Sequence, residues 1–185
     1  MELQEVIEKR RALRTLGKVE ITRELITRLA EAARLAASCN NNQPWRYVFV
    51  YDSLILNELF GSLTPGNYWA KKASLMIAVI SKKDLDCAIG EREYYLFDTG
   101  MATAHLLLKA TELGLVAHPM AGFNPQVVRK VLNIPDIFNV ITLIAVGKQA
   151  AEVDPDLAEK HAQQELQRPP RREIDQFVFL NRYSE

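Results

Sequence analysis

The sequence predicts an α+β fold in which a mixed central sheet carries helices on both faces. Two observations indicate this: amphipathic helical segments precede any strand, and strand-like and helical segments then alternate. The 185 residues are 48% apolar and 25% charged, which suits one compact domain over residues 1–185. We expect an extended C-terminal tail from about residue 148, and a doubly wound fold is the alternative.

Two helices are predicted at the start of the chain. Residues 2–9 place Leu3, Val6 and Ile7 on one helical face, and Thr22 is a cap residue for a second helix. The second helix carries apolar residues at helical spacing, namely Leu25, Ile26, Leu29, Ala32, Ala33 and Ala36.

Strands begin after this helical region. Residues 45–51 (WRYVFVY) and 75–80 (LMIAVI) are short apolar runs typical of buried strands. Residues 92–113 are apolar nearly all round, which predicts a long helix buried on most sides and ended by Gly114. Later elements follow in the order strand 115–120, a helix capped by Asn124 and opened by Pro125, strand 140–146, and an extended segment at 177–179.

The charge balance argues against partners that bind through a large positive field. Lys and Arg together number 23, as do Asp and Glu, so no nucleic acid or anionic membrane is expected as a partner. The N-terminus has no signal-peptide pattern and no apolar run reaches the ~18 residues of a membrane span, so we expect a cytoplasmic protein. Cys39 and Cys87 form no CxxC pair, and with three scattered histidines they predict no metal site.

Two arginine clusters lie far apart in the sequence. Arg10, Arg11 and Arg14 fall within five residues at the expected end of the first helix, and residues 168–172 (RPPRR) form the second cluster. Guanidinium groups match phosphate oxygens in pairs and do not deprotonate, so the clusters together could hold one phosphate. The alternatives are a cationic helix end that complements the helix dipole and a solvated basic turn.

Two further segments are candidates for ligand contact. Residues 38–45 (SCNNNQPW) are rich in amides, which both donate and accept hydrogen bonds, and residues 118–123 (HPMAGF) offer small residues that allow close approach to backbone N–H groups. An ordinary helix-to-strand loop and a strand-to-helix turn are the alternatives, with His118 as a satisfied core histidine.

Taken in order, these motifs resemble the nitroreductase family. The matching segments are residues 10–14 (RRALR), 36–45 (AASCNNNQPW), 66–69 (GNYW), 98–100 (DTG), 114–115 (GL), 118–123 (HPMAGF) and 171–172 (RR) ahead of 177–179 (FVF). The resemblance covers nearly the whole chain, and its specificity lies in the order and spacing. It implies an intertwined homodimer with FMN in a groove between the subunits.

The resemblance also implies a set of cofactor-binding residues. Arg10, Arg11 and Arg171 would hold the FMN phosphate, with Arg168 or Arg172 able to replace Arg171. The remaining contacts would come from Ala12, Arg14, Ser38, Asn41, Gln43, Asn67, Pro119, Met120, Ala121 and Gly122. Of these, Arg14 and Asn67 would meet the pyrimidine edge of the flavin, the Ala121 and Gly122 amides would meet N5 and O4, and Ser38, Asn41 and Gln43 would reach the partner's cofactor.

The chain departs from the family pattern at two positions. Ala12 replaces the usual Ser and removes a hydroxyl that could bind phosphate, and Ala37 replaces the usual Pro. One hydrogen bond to a charged group contributes about 1.5–3 kcal/mol, so the loss weakens FMN binding without abolishing it.

The resemblance implies an NAD(P)H-dependent flavin oxidoreductase. The eight glycines contain no G-x-G-x-x-G, so we expect NAD(P)H to bind transiently as a co-substrate. A ping-pong cycle would pass two electrons to a small organic acceptor such as a nitroaromatic or a quinone. No side chain is predicted to be catalytic, and His118, Tyr68 and Trp69 are expected to be pocket walls. The alternatives are a relative specialised for one metabolite, a flavin-binding sensor or carrier without turnover, and a flavin-free domain.

Overall fold

The computed structural model describes residues 1–184. Within that range the α-helices α1 to α6 are Leu3–Lys9, Arg23–Arg34, Ser53–Phe60, Tyr95–Glu112, Pro125–Leu132 and Glu159–Leu166. The strands β1 to β7 are Leu16–Gly17, Arg46–Val50, Leu75–Ser81, Ala88–Ile89, Arg92–Glu93, Leu115–Met120 and Asn139–Gln149. Short 3-10 segments span Cys39–Asn41, Pro65–Lys72, Lys83–Leu85 and Ile174–Gln176.

The predicted helix boundaries are confirmed by their local chemistry. Thr22 Oγ1 accepts the Leu25 N–H at the start of α2, and Asn124 Oδ1 accepts two N–H groups at the start of α5, whose first residue is Pro125. Gly114 follows α4 with a φ of +73°, a left-handed conformation that costs glycine little. These short-range signals therefore placed the helix ends correctly.

Every pair of strands in the central sheet is antiparallel, so the predicted mixed sheet is wrong for the described residues. β7 pairs with β3 and β1 along one edge and with β6 along the other, and β2 pairs with β3 on its far side. A helix connects β2 to β3 and another connects β6 to β7, yet each returns the chain antiparallel. A helix between two strands does not fix their relative direction, and strand direction is not encoded in the apolar pattern.

Helices cover both faces of this sheet, as predicted. On one face α2 and α4 pack through Leu29, Ala102 and Leu106 against Ile77 and Ile144 of the sheet. On the other face α3, α5 and the 3-10 segment Pro65–Lys72 form a second apolar cluster. The two clusters bury the sheet on both sides and hold its edge strand β6 in a fixed position.

The long helix α4 is less buried than its composition predicts. Leu96 and Phe97 are 48% and 63% exposed, while Ala102 and Leu106 are fully buried. The prediction of burial on most sides is therefore wrong within one protomer. An apolar helix face with nothing packed on it is typical of a surface that meets another protein.

After β7 the chain crosses back over the 3-10 segment Pro65–Lys72. Lys72 Nζ forms ion pairs with Asp154 and Asp156, and the Tyr68 hydroxyl donates to Asp156 O and accepts from Ala158 N. These contacts set α6 beside the end of α1.

The predicted extended segment 177–179 is not a strand. It follows the 3-10 turn Ile174–Gln176 and pairs with no strand among residues 1–184, and its Phe177 is 58% exposed. No helix in the described range combines the length and apolar character needed to cross a membrane.

Candidate functional site

A small cavity of about 170 Å³ lies where α1, β6 and α6 meet. Both ends of the chain contribute to it, as the sequence predicted for the two arginine clusters. Its lining residues are Arg10, Arg11, Ala12, Arg14, His118, Gln164, Arg168, Pro169 and Arg171. We call it the arginine cavity. Arg172 is not among the lining residues, so Arg168 and Arg171 are the C-terminal arginines that meet the N-terminal cluster.

The second arginine cluster is fastened to the end of α1 by backbone carbonyls. The Arg168 guanidinium donates to Glu8 O and to Arg10 O, two of the carbonyls that a helix end leaves without internal partners. Arg171 donates to Pro169 O and Pro170 O, which holds its side chain close to its own turn. The helix C-terminus therefore brings the distant clusters together.

α6 holds the N-terminal arginines from the other side. Arg11 donates to Gln164 O, and Arg14 Nη1 donates to Gln164 Oε1 at 3.0 Å. The buried Glu165 carboxylate accepts the backbone N–H groups of Arg14 and Thr15 at 2.9 and 3.1 Å. That carboxylate thus fixes the backbone of the cluster, and among residues 1–184 it makes no ion pair with a guanidinium.

The arginine cavity holds uncompensated positive charge. In residues 1–184 none of its five guanidinium groups has a carboxylate partner within ion-pair distance. Burial, and then the charges of Arg168 and Arg171, lower the pKa of Arg10. Like charges are costly to hold together unless an anion binds among them, so the arrangement is suited to a phosphate.

His118 adds an imidazole to the arginines that line the cavity. Its Nδ1 lies 3.0 Å from Leu13 O, and because a carbonyl only accepts, Nδ1 carries the hydrogen. Burial lowers the pKa of His118 to about 4, so the ring is neutral near pH 7. Nε2 makes no hydrogen bond within residues 1–184, and His118 is one of the residues that line the cavity. In this tautomer Nε2 is able to accept a hydrogen bond.

Trp69 and Tyr68, which were predicted to be pocket walls together with His118, make contacts within the protein. The Trp69 ring packs against His118 with centroids 4.4 Å apart, and Arg14 lies over the same ring at 5.9 Å. Trp69 is 1% exposed, so the expectation that it forms a pocket wall is wrong. Tyr68 uses its hydroxyl on the backbone of the tail. Neither Trp69 nor Tyr68 is among the residues that line the arginine cavity.

Asn67 and Gly122 meet at the far end of β6. Asn67 Nδ2 donates to Gly122 O at 2.8 Å, which leaves its Oδ1 as an acceptor. A Cβ at position 122 would lie 2.5 Å from Thr64 Oγ1 and 2.7 Å from Asn67 Nδ2, so any other residue would displace these two side chains. The Ala121 and Gly122 N–H groups donate to no acceptor among the described residues. The close approach of a ligand to the amides of Ala121 and Gly122 stays a prediction, and the observed neighbours of Gly122 are the side chains of Thr64 and Asn67.

The neighbouring Pro119 and Met120 have different environments. Pro119 is half-buried, whereas the Met120 side chain is 6% exposed and packs in the core. The Met120 carbonyl accepts from Thr142 Oγ1 at 2.9 Å. Met120 therefore has no side-chain atoms to offer a ligand, and the predicted contact reduces to its backbone.

The amide loop, residues 38–43, lies beside the start of α4 and away from the arginine cavity. Ser38 Oγ accepts the Gln43 N–H, Gln43 Nε2 donates to Asn41 Oδ1, and Cys39 N donates to Asp98 Oδ2 at 2.7 Å. Within one protomer the structure does not bring Ser38, Asn41 and Gln43 to the arginines. Asn40, Asn41 and Gln43 have φ values of 49°, 58° and 49°, a left-handed backbone of the kind that concentrates at functional sites.

A disulfide bond between Cys39 and Cys87 fastens the amide loop to the segment before β4. The sequence pattern does not reveal this bond, because the cysteines are 48 residues apart and belong to no spaced motif. A carboxylate oxygen of Asp86 lies with both sulfur atoms in a group that spans at most 4.8 Å. Only the folded chain reveals that these three residues are neighbours.

Comparisons with known proteins agree with this architecture. Residues 7–148 match the sequence profile of the nitroreductase family. A protein of Archaeoglobus fulgidus, provisionally named NADH dehydrogenase/NAD(P)H nitroreductase, is 27% identical over 154 residues, 80% of this chain and 86% of that protein. An NADH dehydrogenase of Thermus thermophilus is 26% identical over 175 residues, 78% of this chain and 85% of that protein. The crystal structure of an oxidoreductase containing FMN matches with a TM-score of 0.85 at 29% identity, covering 97% of this chain and 91% of that chain.

Proposed function

The chain belongs to the nitroreductase family, and we propose that it binds FMN and passes two electrons from NAD(P)H to a small organic acceptor. The observation that carries the proposal is the arginine cavity. Five guanidinium groups from both ends of the chain line one small space, and none has an acidic ion-pair partner in the described range. A doubly charged phosphate ester is the ligand that best compensates these positive charges.

The cavity suits one end of a nucleotide. Its volume of about 170 Å³ is below the roughly 300 Å³ of small ligand pockets, so it receives only part of such a ligand. Arg10, Arg11 and Arg171 would hold the phosphate, and His118 Nε2 would accept a hydrogen bond from a nearby hydroxyl. Asn67 Oδ1 and the free N–H groups of Ala121 and Gly122 would meet the edge of the ring system.

When bound, FMN supplies the hydride chemistry, so no side chain of this chain has to act as a nucleophile. The protein contributes position and charge. Arg14 keeps a fixed positive charge near the expected flavin edge, where it favours the build-up of negative charge. Burial lowers the pKa of Arg14, and Glu165 partly offsets that effect.

A second copy of the chain would complete the site. Ser38, Asn41 and Gln43 lie away from the arginine cavity of their own protomer and would reach the cofactor of the partner. Several large apolar side chains are exposed and could be covered by such a partner, including Leu3, Leu35, Leu96, Phe97, Ile174, Phe177 and Leu180. We therefore propose a homodimer in which the C-terminal segment wraps the other subunit.

The test compares FMN with riboflavin, which has the same ring system without the phosphate. We expect the purified protein to bind FMN much more tightly than riboflavin, with both affinities measured by quenching of flavin fluorescence. Arg10→Gln should remove most of that preference, because it removes a phosphate contact. Arg172→Gln is the matched control, since this neighbouring arginine does not line the cavity, and it should keep the preference.

Turnover then distinguishes an enzyme from a carrier. With NAD(P)H and a quinone as substrates, we expect parallel lines in double-reciprocal plots, because the oxidised nicotinamide leaves before the acceptor enters. Intersecting lines would contradict the two half-reactions. A bound flavin that NAD(P)H cannot reduce would indicate a sensor or carrier, and a protein that binds neither flavin would overturn the proposal.

A further inference from the structure

The Cys39–Cys87 disulfide has surroundings that the proposed flavin chemistry does not use. Cys39 opens the 3-10 turn of the amide loop, and Cys87 directly precedes the exposed hairpin β4–β5. Both cysteines are half-buried, and the adjacent Asn40 and Ala88 are exposed. A small thiol can therefore approach the bond without unfolding the core.

The two sulfur atoms are not equivalent. Asn40 Nδ2 and Asn42 Nδ2 lie 3.5 and 3.4 Å from Cys87 Sγ and donate to it, whereas Cys39 Sγ receives no such donor in the described residues. Donors directed at one sulfur stabilise negative charge on it when the bond opens. Cys87 is therefore the better leaving group, and attack falls on Cys39.

Two carboxyl groups, those of Asp86 and Asp98, lie beside the bond. Asp86 Oδ1 accepts from Cys87 N at 2.8 Å, and its buried Oδ2 has no hydrogen-bond partner in the described structure. Asp98 is 1% exposed; burial raises its pKa, the Cys39 N–H partly lowers it, and Asp86 raises it further. The raised pKa of Asp98 means that its surroundings disfavour a negative charge at that position beside the disulfide.

We propose that Cys39 and Cys87 form a reversible thiol–disulfide exchange site whose reaction partners are dithiols. A thiolate of the dithiol attacks Cys39 Sγ, the Cys39–Cys87 bond breaks, and Cys87 leaves as a thiolate held by Asn40 and Asn42. The second thiolate of the dithiol then attacks the mixed disulfide and releases Cys39. Two electrons pass to the cysteine pair, the dithiol becomes a disulfide, and its two protons end on the cysteine thiols.

Alkylation followed by mass spectrometry tests the proposal without reference to flavin. In the untreated native protein we expect iodoacetamide to label neither cysteine. After dithiothreitol without denaturant it should label both, and after the dithiothreitol is removed and oxidised glutathione is added it should again label neither. The proposal is overturned if both thiols are free from the start, if the bond opens only in urea, or if the purified protein holds a stoichiometric metal ion on Cys39, Asp86 and Cys87.

The assigned direction of attack has its own test. With the monothiol glutathione, peptide mapping should find the transient adduct on Cys39, and an adduct on Cys87 would contradict the assignment. The double variant N40G/N42A removes both donors to Cys87 and leaves glycine at the left-handed position. We expect its reduction by dithiothreitol to be about 3- to 10-fold slower. N57A, which removes an exposed amide on α3, is the matched control and should react at the wild-type rate.

Discussion

The arginine cavity and the amide loop differ in whether their charged and polar groups find partners within the chain. The cavity concentrates five cationic side chains with no carboxylate ion pair in the described structure, and burial together with the charges of Arg168 and Arg171 lowers the pKa of Arg10. The amide loop satisfies its polar groups internally, through Ser38, Asn41 and Gln43, and is fastened by a disulfide. The first region lacks a component that a ligand would supply, whereas the second is stable as it stands.

This difference shows which kind of feature points to a ligand. Uncompensated charge is costly to the fold and is relieved by binding, so removing it should impair binding and leave stability nearly unchanged. Internally satisfied polar groups and a cross-link stabilise the fold, so removing them should lower stability first.

The largest effect is expected from R10Q/R171Q. Each lost hydrogen bond to phosphate should cost about 1.5–3 kcal/mol, so the Kd for FMN should rise by roughly 10²- to 10⁴-fold. The unfolding free energy of the ligand-free protein should change by less than about 0.5 kcal/mol, because two repelling charges are removed. Fluorescence titration and urea unfolding measure the two quantities. A variant that binds FMN with the wild-type Kd, or whose ligand-free form loses several kcal/mol of unfolding free energy, would contradict this prediction.

The amide loop should show the opposite behaviour. C39S/C87S removes a cross-link that closes a loop of 48 residues, and chain entropy gives a loss of about 4 kcal/mol in the free energy of unfolding. Urea unfolding of the variant and of wild type under non-reducing conditions measures the difference. R172Q serves as the control for surface substitution. Equal stability of variant and wild type would show that the bond does not constrain the chain in solution.

His118 should make stability depend on pH. Its pKa of about 4 in the folded state lies below the ordinary 6.5, so folding disfavours the protonated ring. The resulting stabilisation is complete above pH 6.5 and is lost as pH falls towards 4, by roughly 3 kcal/mol. Unfolding free energies at pH 7 and pH 4.5 measure this loss, to which acidic residues also contribute. The loss of unfolding free energy between pH 7 and pH 4.5 should be smaller in H118Q by most of that amount. Equal losses in H118Q and wild type would show that His118 does not cause this pH dependence.

The smallest effect concerns the left-handed backbone at Gln43. Gln43→Gly and Gln43→Ala both remove the side-chain hydrogen bonds to Asn41, but only glycine adopts a φ of 49° without strain. We therefore expect the glycine variant to be more stable than the alanine variant by about 1 kcal/mol. Thermal unfolding of both proteins checks the difference. No difference would mean that the loop relaxes when the side chain is removed.

Local signals in the sequence determined much of the fold. The caps at Thr22 and Asn124, the stop at Gly114 and the apolar runs of β2, β3, β6 and β7 depend on neighbouring residues, and each is found where it was predicted. The family motifs also pointed to the residues that line the arginine cavity. These predictions succeeded because helix ends, turns and apolar periodicity are properties of short segments.

Only the tertiary structure decided the features that join distant parts of the chain. The direction of each strand, the exposure of Phe97, the pairing of Cys39 with Cys87 and the choice of Arg168 and Arg171 over Arg172 all depend on how elements pack. The apolar pattern of a segment indicates which of its surfaces prefers burial, but it does not indicate which other segment packs on that surface. The charge of the arginine cavity was therefore visible in the sequence, whereas the absence of a carboxylate ion pair among the described residues became visible only in three dimensions.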